Sequence, residues 1–194
     1  YYIDASTKII AHFHEWMTGT GVLYLKDKLP QIATVFTTHA TVIGRSIAGN
    51  GFPLYENLNQ LNGDHKAKEF NIISKQSLEK TAAKLADSFT TVSDLTGKEC
   101  KQFLGRKVDI VTPNGFEDDF VPTAENFGQK RNQAKEKFAE VASAVLNENI
   151  PEDSFFIGIS GRYEFKNKGI DLFIKALGEI KKSKNVKEKL LHLF

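Results

Sequence analysis

The chain has 194 residues, of which 41% are hydrophobic and 26% charged, a composition typical of a soluble globular protein. Its formal net charge of +2 argues against a protein built around nucleic acid, which needs a clustered basic face. No apolar run approaches the roughly 20 residues that cross a membrane, so no membrane partner is expected.

The first predicted strand, Lys8–Phe13, leads into His14-Glu15-Trp16 and is followed by a predicted helix over Thr18–Lys28. His12 and His14 share one strand face, which would suit a metal pair, but the HExxH spacing of zinc proteases is absent. A strand-end histidine is usually a hydrogen-bonded structural residue, and we expect His12 in the core. No metal is predicted.

The second strand is predicted at Ile32–Phe36, and a helix over Ile43–Ala48 carries Arg45 on its surface. Two further helices are predicted, at Leu54–Leu61 and from about His65 to Ala86. In the long helix Asp64 is the expected N-cap, and the lysines and glutamates are expected to form a solvated face.

The third strand is predicted at Asp87–Val92, after which Ser93 caps a helix that Gly105 closes. Cys100 falls in this helix and has no partner for an internal disulfide. A lone cysteine indicates a reducing cytoplasm and a buried, inert thiol.

The fourth strand, Val108–Val111, ends at Thr112-Pro113-Asn114-Gly115, where Asn-Gly predicts a tight reversal. Phe120–Thr123 marks the expected end of a first domain. A long helix over Ala124–Asn147, polar in its first turns, then serves as a connection.

The stretch Gly161–Gly169 (GRYEFKNKG) lies between a buried strand, Ser154–Ser160, and a helix over Ile170–Ile180. Arg162 therefore follows a strand and Lys168 precedes a helix start. In open α/β sheets this position binds anions, and an Arg fork beside a Lys suits a diphosphate. A solvated basic loop is an equally good interpretation of the spacing alone.

GRYEFKNKG resembles the phosphate-binding loop of the eukaryotic-type glycogen synthases, which are retaining glycosyltransferases of the two-domain GT-B fold. Further stretches resemble the same family in the same order: His12–Trp16, Phe36–Thr41 continuing to Gly44-Arg45, and Phe89–Ser93 leading to Asp109–Gly115. Four ordered motifs make a specific signal where one alone would be weak.

The resemblance implies an α/β, GT-B-type fold with a parallel Rossmann-like sheet and helices on both faces. It implies that residues 1–122 are the later part of an N-terminal, acceptor-side domain and residues 123–150 a linker and connecting helix. Residues 151–194 would be the first strand, loop and helix of the C-terminal nucleotide-sugar-binding domain. The chain would then be an internal fragment, inactive alone.

The reaction implied by the resemblance transfers glucose from UDP-glucose to the non-reducing end of an α-1,4-glucan, with retention. Arg162 and Lys168 would bind the donor diphosphate and His14 the donor hexose. Asn114 and Gly115 would lie at the interdomain cleft. No cofactor or metal is expected, the full-length enzyme is expected to be an oligomer, and the donor-contacting carboxylate would lie outside these residues.

Two glutamates fall inside the matched motifs. Glu15 is expected to orient its loop, and Glu164 to brace the phosphate loop; neither is expected to be a nucleophile. Two other functions stay open: a non-catalytic glycan- or nucleotide-binding fragment, and a generic anion-binding α/β module. Competition by UDP against other nucleoside diphosphates would separate these two from each other.

Overall fold

Strands and helices alternate along the part of the chain that the computed structural model describes, which is residue 4 and residues 6–151, 154–182 and 190–193. The strands are β1 (Ile10–His14), β2 (Ala33–Thr38), β3 (Ser88–Thr91), β4 (Ile110–Val111), β5 (Phe155–Gly158) and β6 (Leu190–Leu193). The α-helices are α1 (Glu15–Lys28), α2 (Val42–Gly49), α3 (Gly63–Glu69), α4 (Ile73–Leu85), α5 (Asp94–Glu99), α6 (Phe127–Leu146) and α7 (Ile170–Lys182). A π-helical turn over Cys100–Leu104 continues α5, and two 3₁₀ turns lie at Leu58–Gln60 and Asp118–Phe120.

The chain divides into two units, unit 1 (Tyr1–Gly115) and unit 2 (Phe116–Phe194). Unit 1 contains a parallel sheet in the order β1-β2-β3-β4, with helices between successive strands. Unit 2 contains α6, α7 and the parallel pair β5-β6. Parallel strands need crossover connections, which the intervening helices supply. The predicted α/β class with a parallel sheet is confirmed.

The core of unit 1 lies between the sheet and the helices α1 and α4. Phe36 of β2 and Phe89 of β3 are paired in register, and their buried rings stack at 5.9 Å. Burying a side chain of this size contributes roughly 1.5–3 kcal/mol. The cluster around them consists of Val22, Ala82, Ala83, Ala86, Cys100 and Leu104. Small residues let α1 approach α4, since a Cβ on Gly19 would lie 3.0 Å from the Cβ of Ala82.

The predicted long helix from His65 to Ala86 is two helices, α3 and α4. Between them Asn71 adopts a left-handed backbone (φ 56°), a conformation that asparagine tolerates better than most residues. The N-cap of α3 is Asn62, whose side chain accepts from the backbone N–H of His65. Asp64, the predicted cap, instead forms an ion pair with Lys80 at 2.7 Å. In place of the predicted helix over Leu54–Leu61, the structure has the 3₁₀ turn at Leu58–Gln60.

The face of α4 that the pattern assigned to solvent is partly buried. Glu79 is fully buried and Gln76 is 2% exposed, whereas the apolar residues Ile73 and Leu85 are about half exposed. The prediction that the glutamates of this helix are all solvated is therefore wrong for Glu79. Its carboxylate accepts from Thr38 at the end of β2 and from Val42 at the start of α2, contacts that hydrophobic periodicity does not reveal.

The buried Gly44 in α2 provides a stability test. A Cβ there would overlap Oε2 of Glu99 and lie 2.7 Å from Oγ1 of Thr41. Gly→Ala inside a helix usually stabilises by roughly 0.5–1 kcal/mol, but overpacking a tight site costs about 1–3 kcal/mol. We expect Gly44→Ala to lower the free energy of unfolding in urea. Gly97→Ala in α5 is the control, because its Cβ would meet Val108 at an ordinary 3.4 Å. Equal stability of the two variants would contradict the packing described here.

Candidate active site

The phosphate loop of the sequence prediction, Gly161–Gly169, forms a compact turn in unit 2 between β5 and α7. The backbone N–H of Glu164 donates to the carbonyl of Arg162 at 2.7 Å, and that of Lys168 donates to the carbonyl of Glu164 at 2.9 Å. Gly169 then takes φ +69° directly before α7 begins, a conformation that favours glycine. The loop thus places Arg162 just after a strand and Lys168 just before a helix, as predicted.

Arg162 is exposed, and its Nη2 lies 2.9 Å from Oε1 of Glu164. The guanidinium carries five N–H donors, so one ion pair leaves most of them open to a ligand. Exposed ion pairs are worth little, about 0–1 kcal/mol, so a dianionic ligand can compete for this cation. The contact agrees with the bracing role expected of Glu164, because it holds the arginine without burying it.

Lys168 lines a cavity of about 600 Å³ in unit 2, together with backbone and side chains of the loop and of the helices around it. Its lining is Phe138, Gly158, Ile159, Ser160, Gly161, Tyr163, Lys168 and Ile170. This volume lies within the usual range for small-molecule sites. Among the described residues no carboxylate forms an ion pair with Lys168, whereas Arg162 lies outside the lining and is turned toward Glu164.

His14 ends β1 in unit 1, at the carboxyl edge of the sheet where ligands of α/β proteins bind. Its Nδ1 lies 3.1 Å from Nε2 of His39, which follows β2. The next residue, Glu15, accepts a hydrogen bond at Oε1 from the backbone N–H of His39 at 3.1 Å, and Nη2 of Arg45 lies 3.7 Å from the same oxygen. Glu15 therefore orients the loop that carries His39.

His12 is exposed on the strand, so the expectation of a core position was wrong. Its ring lies 4.1 Å from the ring of His14, and its Nε2 is 2.7 Å from Oγ1 of Thr37. Oγ1 of Thr37 in turn lies 2.6 Å from Oγ1 of Thr90. Partial loss of solvent lowers the pKa of His12, and the nearby rings of His14 and His39 lower it further. The ring is held by the polar edge of the sheet rather than by apolar packing.

Two buried carboxylates, Glu79 and Glu99, accept hydrogen bonds from the β2–α2 loop and its ends. Glu79 accepts from Oγ1 of Thr38 at 2.8 Å and from the backbone N–H of Val42 at 2.9 Å. Glu99 accepts from Oγ1 of Thr41 at 2.7 Å and also from the hydroxyl of Tyr55. Burial raises the pKa of Glu79 to about 7. The segment Thr38–Val42, with His39 inside it, is thereby fixed at both ends.

Cys100 is buried, as predicted, and burial raises the pKa of its thiol, with Glu79 and Glu99 adding to the rise. A thiol with a raised pKa is mostly protonated at neutral pH and is a poor nucleophile. The inert, structural role predicted for Cys100 therefore agrees with its surroundings.

Asn114 and Gly115 follow β4 at the same edge of the sheet, in an exposed, irregular segment. The predicted tight reversal is absent there, and Gly115 does not take a positive φ. Across the described residues, no hydrogen bond joins Asn114 or Gly115 to His14. The structure places His14 and these two residues in unit 1, and Arg162 and Lys168 in unit 2.

Sequence reasoning missed His39, Glu79 and Glu99 as parts of this arrangement. His39 lies inside the matched stretch Phe36–Thr41 and directly follows β2, so its position was a usable signal. The two glutamates gave none, because they lie on helices far along the chain from the loop that they hold. Among the described residues, no group of three or more His, Cys, Asp or Glu could hold a metal ion. None of the described helices is long and apolar enough to span a membrane.

The family model described as glycogen synthase matches residues 2–190 of this chain. The chain belongs to the glycogen synthase family. Its sequence is 38% identical over 175 residues to the glycogen [starch] synthase of Caenorhabditis elegans, and 36% identical over 183 residues to isoform 2 of that enzyme from Saccharomyces cerevisiae. These alignments cover 89% and 92% of this chain and 26% of each relative.

The liver glycogen [starch] synthase of Rattus norvegicus is 35% identical over 175 residues. The chain thus spans about a quarter of the length of the curated relatives that it matches. Family membership confirms the predicted resemblance to eukaryotic glycogen synthases and the GT-B fold class.

Proposed function

We propose that the full-length glycogen synthase family protein containing this chain transfers glucose from UDP-glucose to the non-reducing end of an α-1,4-glucan, with retention of configuration. The observation that carries this proposal is the family match over residues 2–190. The phosphate loop supports it, because an exposed Arg162 stands after a strand, and Lys168, which pairs with no carboxylate in the described part of the chain, stands at a helix start. Both positions suit a diphosphate.

Each group of these residues has its own role in the proposed reaction. Arg162 and Lys168 offset the charge that the leaving UDP gains as the sugar–phosphate bond breaks. His14, with Nδ1 engaged by His39, offers its other ring nitrogen to a hydroxyl of the donor hexose. Asn114 and Gly115 shape the acceptor side at the end of β4. The protein works in the cytoplasm, and the full-length enzyme is an oligomer.

The deciding experiment measures incorporation of radiolabelled glucose from UDP-glucose into glycogen by the full-length protein. Transfer is expected, and UDP should inhibit it more strongly than ADP or GDP does. Binding of glucan or UDP without any transfer would instead identify a non-catalytic binding protein. Equal inhibition by all nucleoside diphosphates and by polyphosphate, with strong salt dependence, would indicate a generic anion site.

Transfer is also expected to survive a chelator. Metal-dependent transferases place carboxylates around a divalent ion, whereas two cations and a helix start serve the diphosphate here. The full-length protein should keep most of its rate in excess EDTA at constant ionic strength. A metal-dependent transferase assayed in the same buffer is the control for effective chelation. Loss of activity that magnesium or manganese restores would show that the cations of the loop are insufficient.

A further inference from the structure

The two histidines at the ends of neighbouring strands form a direct ring–ring hydrogen bond. Nδ1 of His14 lies 3.1 Å from Nε2 of His39, and the ring centroids are 5.4 Å apart. β1 and β2 are parallel neighbours with His14 opposite Thr37, so His39 emerges two residues further along, beside the end of β1. Within the described part of the chain the His14 ring makes no other hydrogen bond, so its Nε2 has no partner there.

A bond between two imidazole nitrogens requires one donor and one acceptor. If Nε2 of His39 donates, Nδ1 of His14 is unprotonated and Nε2 of neutral His14 carries the proton; if Nδ1 of His14 donates, its Nε2 is an acceptor. The bond therefore couples the tautomer of neutral His14 to that of His39. It also limits rotation of the ring, because Nδ1 must keep facing its partner. In many proteins a neighbouring residue fixes a functional histidine in this way, through a hydrogen bond to its other ring nitrogen.

His39 is itself held more firmly than an ordinary loop residue. Oε1 of Glu15 accepts from its backbone N–H, and Arg45 lies 3.7 Å from the same oxygen. Glu15 adopts a left-handed backbone with φ 65°, which is unfavourable for a residue with a side chain and requires support from its surroundings. On either side of His39, Thr38 and Thr41 bond to the buried carboxylates of Glu79 and Glu99.

We propose that His39 is the positioning residue for His14: its Nε2 holds the His14 ring in the orientation in which it meets the donor hexose and couples its tautomer to that of His39. Glu15 in turn fixes His39 by accepting from its backbone N–H. This inference rests on the proposed function, since the hexose is the ligand that His14 would meet. His12 does not fill this role, because its Nε2 is engaged by Thr37 and its ring meets the His14 ring in a tilted contact, with 34° between the ring planes.

The test compares the affinities of UDP-glucose and UDP for the full-length protein by calorimetry. The ratio of the two isolates the contribution of the hexose, and general damage to the fold would lower both affinities together. His14→Ala should remove most of the hexose contribution. His39→Phe keeps a ring of similar size without a nitrogen, and we expect it to lower the ratio about 3- to 10-fold, the worth of one hydrogen bond.

Rescue distinguishes a hydrogen-bonding role from a packing role. His39→Gln can place an amide atom near the position of Nε2 and should retain most of the hexose contribution, whereas His39→Phe should not. His65→Phe, at an exposed histidine in α3, is the matched control and should bind both ligands normally.

The outcomes separate this inference from the proposed function. A normal ratio in His39→Phe, with wild-type protein active and His14→Ala impaired, would overturn the positioning role and leave the function standing. A loss in His39→Gln as large as in His39→Phe would also overturn it, since polar contact would then be irrelevant. Wild-type protein that neither binds UDP-glucose nor transfers glucose would refute the proposed function, and this inference with it.

Discussion

Replacing Arg162 by alanine in the full-length enzyme is expected to lower kcat by tens to thousands-fold while changing KM much less. The diphosphate gains charge as the bond to glucose breaks, so a fixed guanidinium contributes more in the transition state than in the ground state. Each charge-assisted hydrogen bond lost costs about 1.5–3 kcal/mol, and each 1.36 kcal/mol is a factor of ten in rate. Lys168→Ala should behave similarly.

The contacts within the loop suggest a second variant and a control for this experiment. Removing Arg162 also removes the ion pair of Glu164. Arg162→Lys keeps a charge there but loses the planar fork, and it should be only partly active. Lys166→Ala is the matched control, because Lys166 is an exposed cation of the same loop that does not line the cavity. A wild-type kcat for Arg162→Ala or Lys168→Ala would end the assignment of that residue to the diphosphate.

The buried carboxylate of Glu79 is expected to make stability depend on pH. Its pKa is about 7 in the folded protein against 4.5 as the ordinary value, so the folded state holds the proton more tightly. The resulting stabilisation is complete below about pH 4.5 and is lost as pH rises through about 7. A shift of this size corresponds to about 3 kcal/mol.

Glu79→Gln removes that titration, and an amide can still accept from the N–H of Val42 while donating to the hydroxyl of Thr38. Relative to wild type, its free energy of unfolding should therefore improve by about 3 kcal/mol between pH 4.5 and pH 8. Glu79→Ala should be less stable than Glu79→Gln at both pH values, by about 1–3 kcal/mol for each buried donor left unpaired.

Urea unfolding at several pH values measures these differences in free energy. Glu56→Gln changes an exposed carboxylate in the same unit and serves as the control, for which we expect no comparable trend. A constant difference between wild type and Glu79→Gln from pH 4.5 to pH 8 would mean that the buried carboxylate does not hold its proton.

Sequence pattern predicted the parts of this fold that depend on local chemistry. β-branched and apolar runs predicted the strands, and Ser93 caps α5 as expected because a serine hydroxyl can accept from the N–H of Thr96. Gly105 closes the following turn in a left-handed conformation, again as expected. These features depend on residues within a few positions of one another, where sequence is most informative.

Most of the errors share a physical cause, which is contact between residues distant in the chain. The burial of Glu79 depends on Thr38 and Val42, which periodicity cannot identify. The break between α3 and α4 is instead local, at the left-handed Asn71. The position of His12 depends on Thr37, 25 residues away. For the site, the motifs predicted where Arg162, Lys168 and His14 stand in the fold. The hydrogen bond between His39 and His14 could not be predicted, because it joins residues at the ends of two different strands.

The threonines at the carboxyl edge of the sheet have a thermodynamic consequence. Thr37, Thr38, Thr90 and Thr91 are all buried, so unfolding hydrates hydroxyl groups along with the apolar core. Exposure of apolar surface raises the heat capacity, whereas exposure of polar surface lowers it. Unfolding of unit 1 should therefore carry a smaller heat-capacity increment than unfolding of an equal sheet lined with valine. Its stability curve should be correspondingly flatter, so that the free energy of unfolding of unit 1 changes less with temperature.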